Sequence, residues 1–322
     1  MNGEQEKAAR RHAGASPGGR HSFGPVPSRR LGRSLGIDLV PFKTCSYDCV
    51  YCQLGRTTNQ TCQRVEWVPT DELVEELDRV LPSVEADYVT LSGSGEPTLH
   101  SGTGKIIEAI KRRTGLPVAV LTNGSLLWRE DVRDELLAAD LVIPSLDAGD
   151  GPMFRAVNRP TEDLSFDRML DGLIRFGRAY EGRLWLEVFL LAGYNAVPGE
   201  VDKIAAAARR VGPSRIQINT VCRPPAEEFA RSVTREAMEE LAQRFEPAGE
   251  VVAEFHGPSA SGAFSAGRED ILNMLRRRPC SIADIAGATG MHRNEVLKYI
   301  EQMNAEGLLT STRSAGATYY AA

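Results

Sequence analysis

Three of the chain's six cysteines stand close together in Lys43-Thr-Cys45-Ser-Tyr-Asp-Cys49-Val-Tyr-Cys52-Gln-Leu-Gly55. Thiolates spaced x3 then x2 on one loop can converge on one face of a cubane iron-sulfur cluster, which is held by soft cysteine ligands on short loops. Three ligands leave one iron open to a substrate or cofactor, whereas a closed four-cysteine site mainly transfers electrons or holds structure. A structural zinc is the other reading, and it normally takes four ligands in paired C-x2-4-C hooks. Cys62 could supply a fourth ligand, but its distance from Cys52 matches no such hook. Cys62, Cys222 and Cys280 are read as ordinary buried or surface thiols.

A loop of this kind needs a scaffold. Short β-rich runs at Ile37–Val40, Tyr88–Leu91, Val118–Leu121, Leu141–Pro144, Leu184–Leu190 and Arg215–Val221, with a weaker seventh at Glu250–Glu254, alternate with helical patterns. The helical patterns fall near 70–81, 103–114, 130–139, 164–178, 200–211 and 234–246. Repeated βα units force parallel strands with helical crossovers, so the fold class is α/β, an open doubly wound sheet or a complete or partial barrel. In either architecture the chemistry belongs at the carboxyl ends of the strands.

Cys45, Cys49 and Cys52, with the aromatic Tyr51 just before the third cysteine, resemble the radical S-adenosylmethionine superfamily over about residues 23–255. Within it, the stretch from Phe23 to Asp38 together with Lys43–Gly55 resembles small radical enzymes related to tRNA wyosine-base synthases, although no cysteine precedes Cys45 to hold the second cluster such synthases use. The resemblance implies a partial (βα)6 TIM-type barrel and a 4Fe-4S cluster on the three cysteines. S-adenosylmethionine would chelate the fourth iron, and its reductive cleavage would give a 5'-deoxyadenosyl radical that abstracts hydrogen from a substrate. An electron donor such as flavodoxin or ferredoxin is the implied partner.

Other strand ends carry further candidates. After the second strand comes Ser94-Gly95-Glu96, where glycine permits close backbone approach and a carboxylate can accept from an ammonium group. The family has Gly-Gly-Glu here, contacting the methionyl amino group, and Ser94 replaces its first glycine. Asn123 follows the third strand, and Ser145 and Asp147 follow the fourth. The resemblance places all three in the cofactor pocket; capping of the next helix is the alternative. Met153–Pro160 is expected as a loop, with Arg159 either pairing a carboxylate of cofactor or substrate or remaining solvated. Asn195 is either a cofactor contact or a turn former, and His100 and His256 are read as structural.

Composition bounds the rest. The chain is 42% apolar and 25% charged, enough for a full core, and no apolar run approaches the roughly 20 residues of a membrane span. Leu184–Leu191, the longest candidate, is interrupted by Glu187. Residues 1–22 read as a disordered basic tail without a secretion signal, which implies a cytoplasmic protein in which six cysteines are not a disulfide framework. Basic residues outnumber acidic ones 7 to 2 over residues 1–33, trail 24 to 35 over 34–266, and stand 7 to 6 over 267–322. No Walker Gly-x4-Gly-Lys sequence and no complete dinucleotide fingerprint occurs.

The domain boundaries are then 1–22, a barrel over 23–256, a linker over 257–266, and a small domain over 267–322 with the element order of a winged helix-turn-helix. Ile271, Leu272, Leu275, Ile282, Ile285, Val296, Leu297, Ile300 and Met303 form its expected core. His292, Arg293, Asn294 and Lys298 are left outward, residue types that read phosphates and base edges, so contact with nucleic acid or with protein is expected there. The reading is a radical S-adenosylmethionine enzyme. An iron-sulfur redox-sensing, DNA-binding regulator without turnover is the alternative.

Overall fold

The computed structural model describes residues 20–28, 30–252, 267–314 and 316–322. Strand β1 (Ser22–Ser28) pairs antiparallel with β2 (Gly32–Ile37). The short strands β3 (Thr44–Cys45) and β4 (Asn59–Gln60) flank the cysteine loop as a separate parallel pair. Helix and strand then alternate: α1 (Thr70–Val80), β5 (Tyr88–Leu91), α2 (Thr103–Arg113), β6 (Val118–Thr122), α3 (Glu130–Leu136) and β7 (Leu141–Pro144). There follow α4 (Gly151–Val157), α5 (Phe166–Ala179), β8 (Arg183–Leu190), α6 (Pro198–Val211), β9 (Arg215–Thr220), α7 (Arg235–Ala242) and β10 (Glu250–Val251). The eight-stranded sheet runs β1-β2-β5-β6-β7-β8-β9-β10, parallel from β2 onward, so α/β alternation has produced a mostly parallel sheet.

Period-2 alternation gives this sheet two different faces. Leu184, Leu186, Val188 and Leu190 of β8 join the main core under the helices. Trp185 instead joins Leu31, Ala119, Leu141 and Ile143 in a smaller cluster on the other face. Glu187 and Phe189 share Trp185's face of β8 and line a cavity.

Two elements differ from expectation. The first parallel strand is Gly32–Ile37 rather than Ile37–Val40, and a hairpin partner precedes it. Glycine, serine and arginine conceal its β character, but the Phe23 ring lies across Gly36, where a Cβ would sit 2.1 Å from the ring, so an aromatic on the partner strand covers the glycine. Residues 151–157 are a helix rather than a loop. Asp150 caps it by accepting from the Met153 N–H at 2.9 Å, and proline occupies its first turn.

The C-terminal residues form α8 (Arg268–Arg277), β11 (Cys280–Ser281), α9 (Ile282–Thr289), α10 (Arg293–Ala305), β12 (Thr310–Ser314) and β13 (Ala317–Ala321). The three strands make an antiparallel sheet in the order β11-β13-β12. Ser281 and Asp284 form a capping box at the start of α9. The core of this part holds the expected aliphatic residues together with Cys280 and Leu309. Leu297 is a correction: it is 37% exposed, one step off the face shared by Val296, Ile300 and Met303. The expected linker 257–266, most of the expected tail and His256 lie outside the described residues. Among the described residues no helix is long and apolar enough to cross a membrane.

Candidate active site

The cysteine loop leaves the sheet just past β2 and is tied down on both sides. Lys43, in the left-handed region with φ 60°, donates its N–H to the Ser94 carbonyl at 2.6 Å. Asp48 and Val50 donate theirs to Asn158 and Val157 at the end of α4, at 3.1 and 3.0 Å. Gly95 abuts the loop so closely that a Cβ there would fall 1.9 Å from the Thr44 carbonyl oxygen. The turn after β5 and the helix after β7 therefore position the three thiols.

Cys45, Cys49 and Cys52 all line a cavity of about 510 Å³ at the carboxyl ends of the parallel strands. They can be reached from the cavity and are otherwise enclosed, so burial pushes all three thiols up, Cys45 to about 12. Mutual proximity adds to this for Cys45 and Cys49, while the Lys43 ammonium offsets it at Cys52. The Asn123 and Asn158 amides each donate toward a sulfur, Cys45 and Cys49 respectively, at 3.5 Å. Among the described residues no three His, Cys, Asp or Glu side chains are arranged to hold a metal ion. Three soft donors that open on one cavity, two of them with amide N–H groups on sulfur, suit an iron-sulfur cluster. Its positive core reverses the preference for neutral thiols.

Of the other expected site residues, Tyr51, Ser94, Gly95 and Ser145 line the cavity. Tyr51 is stacked on Phe189 with ring centroids 3.9 Å apart, and its hydroxyl donates to Asp147. Glu96, Asn123 and Asp147 stand outside the lining. Glu96 is 2% exposed and is engaged on both oxygens. One accepts from the Thr98 N–H and hydroxyl and the Thr122 hydroxyl, the other from the Asn123 N–H. Burial raises its pKa against those bonds. Asp147 accepts from Asn158 at 2.8 Å and from the Phe189 N–H at 2.9 Å, and burial lifts its pKa to about 6.

The alternatives left open by sequence resolve unequally. Asn195 is a turn clamp: its amide donates to the Asp147 and Phe189 carbonyls and its oxygen accepts from the Leu191 N–H. Arg159 pairs with Glu227. His100 is structural, bonded to the Val68 carbonyl and the Gly102 N–H. Cys62 contacts the Thr161 hydroxyl, and Cys280 is core. Sequence reasoning missed Asn158, and it missed the cavity residue Glu187, which receives both forks of Arg30 at 2.7 and 3.1 Å and the Asn219 amide at 2.9 Å. A lone carboxylate inside an apolar strand was the available signal.

The family model of the Radical SAM superfamily matches residues 39–211. The chain is 39% identical to a protein named GTPase Obg of Brachyspira hyodysenteriae, over 93% of this chain and 45% of that protein. It is 42% identical to a UPF0026 protein of Methanocaldococcus jannaschii, over 65% of this chain and 66% of the relative. It thus spans under two thirds of either relative. Among solved structures, Streptococcus suis SuiB bound to S-adenosylmethionine superposes with a TM-score of 0.50 at 13% identity, over 84% of this chain and 60% of that one, which speaks to the fold. The match over more than half of its residues means that the chain belongs to the Radical SAM superfamily, with a 4Fe-4S cluster and S-adenosylmethionine as its cofactors.

Proposed function

We propose that Cys45, Cys49 and Cys52 are the protein ligands of the cluster and that S-adenosylmethionine occupies the adjoining part of the cavity. The observation that carries this is the opening of all three thiols onto one cavity beside the Ser94-Gly95 turn. Bound there, the two cofactors would supply one-electron reductive cleavage of the sulfonium, the electron coming from an external donor, and hydrogen abstraction from a substrate.

The chain's own residues orient and enclose. Tyr51, Ser94, Gly95 and Ser145 offer the cofactor direct contact from the cavity wall. Glu96, Asn123 and Asp147 act from the layer behind, holding the strand-end turns and, through Asn123, a sulfur. Asn158 does the same for the Cys49 sulfur, since hydrogen bonds to ligand sulfur tune a cluster's potential.

The finer reading is a partial barrel in the cytoplasm, reduced by a flavodoxin or ferredoxin, related to the wyosine-base synthases. Residues 267–322 are a winged-helix domain in it. The exposed His292, Arg293, Asn294 and Lys298 support contact with nucleic acid or protein.

The test is anaerobic reconstitution with iron and sulfide, reduction, and addition of S-adenosylmethionine. The paramagnetic resonance spectrum is expected to shift and 5'-deoxyadenosine to form, with Cys49→Ala abolishing both. A cluster that neither binds nor cleaves the cofactor would replace this reading with the redox-sensing regulator.

A further inference from the structure

Among the described residues, polar side chains of 267–322 reach the barrel from α8, α9 and β13. Arg277 of α8 reaches the carboxylate of Asp38, which lies just past β2 and is 1% exposed. It also donates to the Arg20 carbonyl at 3.1 Å and lies 4.3 Å from the Phe23 ring centroid. Arg223, just past β9, pairs with Asp284 of α9 at 3.2 Å. The Tyr319 hydroxyl of β13 donates to the Cys222 carbonyl at 2.7 Å. Asn273, Met274, Arg278 and Thr289 thereby line the same cavity as the cysteines.

The first contact reaches the cofactor turn. While one Asp38 oxygen takes Arg277, the other accepts from the Ser94 N–H at 2.5 Å. Gly93 has φ 129°, and a Cβ on it would fall 1.8 Å from that same oxygen. The turn is therefore seated directly on the Asp38 carboxylate with no slack, and the partner that fixes this carboxylate comes from α8.

We propose that residues 267–322 form the substrate-side wall of the reaction chamber and that Arg277 is a positioning residue for the cofactor turn, acting through Asp38 on Ser94. The proposal rests on the cofactor placement given above. Removing one partner of a buried pair leaves the other charge without compensation, so Asp38 shifts toward solvent and the turn loses its seat.

Hydrogen–deuterium exchange of the full chain tests this, first metal-free and then reconstituted with and without S-adenosylmethionine. In metal-free Arg277→Met, exchange over residues 90–97 is expected to quicken about tenfold while α5 exchanges as in the wild type. Reconstituted Arg277→Met is expected to bind S-adenosylmethionine about tenfold more weakly. Arg277→Lys, which keeps the charge and loses the fork, should fall between, and Glu301→Gln on the exposed face of α10 should match the wild type. S-adenosylmethionine should slow exchange over residues 268–289 of the wild type as well as over the barrel loops.

Unchanged exchange at 90–97 in both Arg277 variants overturns the positioning role. Protection confined to the barrel overturns the wall. If Arg277→Met does not fold, Arg277→Lys decides. Failure of the wild type to bind S-adenosylmethionine would sink the cofactor placement and the wall with it, while the metal-free comparison still decides the role of Arg277.

Discussion

Asp147 is a buried carboxylate whose pKa is lifted from 3.8 to about 6, chiefly by loss of water. Its folded-state value lies above its unfolded one, so the fold favours the protonated form. The stabilisation from that preference is complete below pH 3.8 and is lost as pH rises through 6. The whole effect is about 3 kcal/mol. Between pH 5.0 and 7.5 the same two values predict a loss on the order of 1 kcal/mol, roughly a factor of ten in the unfolding constant. Asp147→Asn does not titrate, so the stability difference between wild type and variant isolates the term. Urea unfolding of the metal-free proteins can be followed by fluorescence, because Trp67, Trp128 and Trp185 all lie within residues 39–211 and report the sheet domain alone. The wild type is expected to lose on the order of 1 kcal/mol relative to Asp147→Asn on going from pH 5.0 to 7.5. An equal gap at both pH values, or a Phe189 amide resonance that titrates near 4, would show that Asp147 is solvated and refute the burial argument.

Asn158→Leu removes an N–H donor from the Cys49 sulfur; because that donor favours the more negative, reduced cluster, the midpoint potential should fall by about 40 mV, and an unchanged midpoint at full iron content in a redox titration would count against the contact. Gly95→Ala sets a Cβ 1.9 Å from the Thr44 carbonyl oxygen, so S-adenosylmethionine binding by calorimetry should be lost, while Gly115→Ala, with nothing within 4 Å, should bind as the wild type does. Ser281→Ala breaks the capping box of α9 and should cost about 1 kcal/mol, read as a lower melting temperature of residues 267–322; a melt identical to the wild type would mean that the cap contributes nothing.

The parts legible in the sequence are those whose physics is local. The cysteine spacing compresses a ligand set into eight residues, and the alternation of strand and helix from Tyr88 to Thr220 follows from periodicities that each segment carries alone. The hairpin strand Gly32–Ile37 was less legible because its β character is supplied from outside: the Phe23 ring substitutes for the side chain that Gly36 lacks. The helix at Gly151–Val157 was hidden for the opposite reason. Its seven residues are too few for a period, and only the Asp150 cap and the following proline mark it.

Long-range pairing explains what sequence left undecided around the site. Asn123, Glu96 and Asp147 could each be read as a cofactor contact or as a cap, and in the structure their polar atoms are largely committed to neighbouring turns. A residue behind the wall can still govern catalysis, because the geometry of the wall is set by what it rests on. The Ser94 turn shows how far such support can come: its seat, Asp38, is held by an arginine 239 residues further along the chain. Neither residue stands out by type or spacing, since a lone aspartate after a strand and one of three consecutive arginines are both ordinary surface features by composition. Burying the pair changes their meaning. An ion pair taken out of water persists only where its contacts offset the lost hydration; here both terminal nitrogens of Arg277 are engaged while its Nε is not, and the pair joins the C-terminal helices to the turn that faces the cysteines.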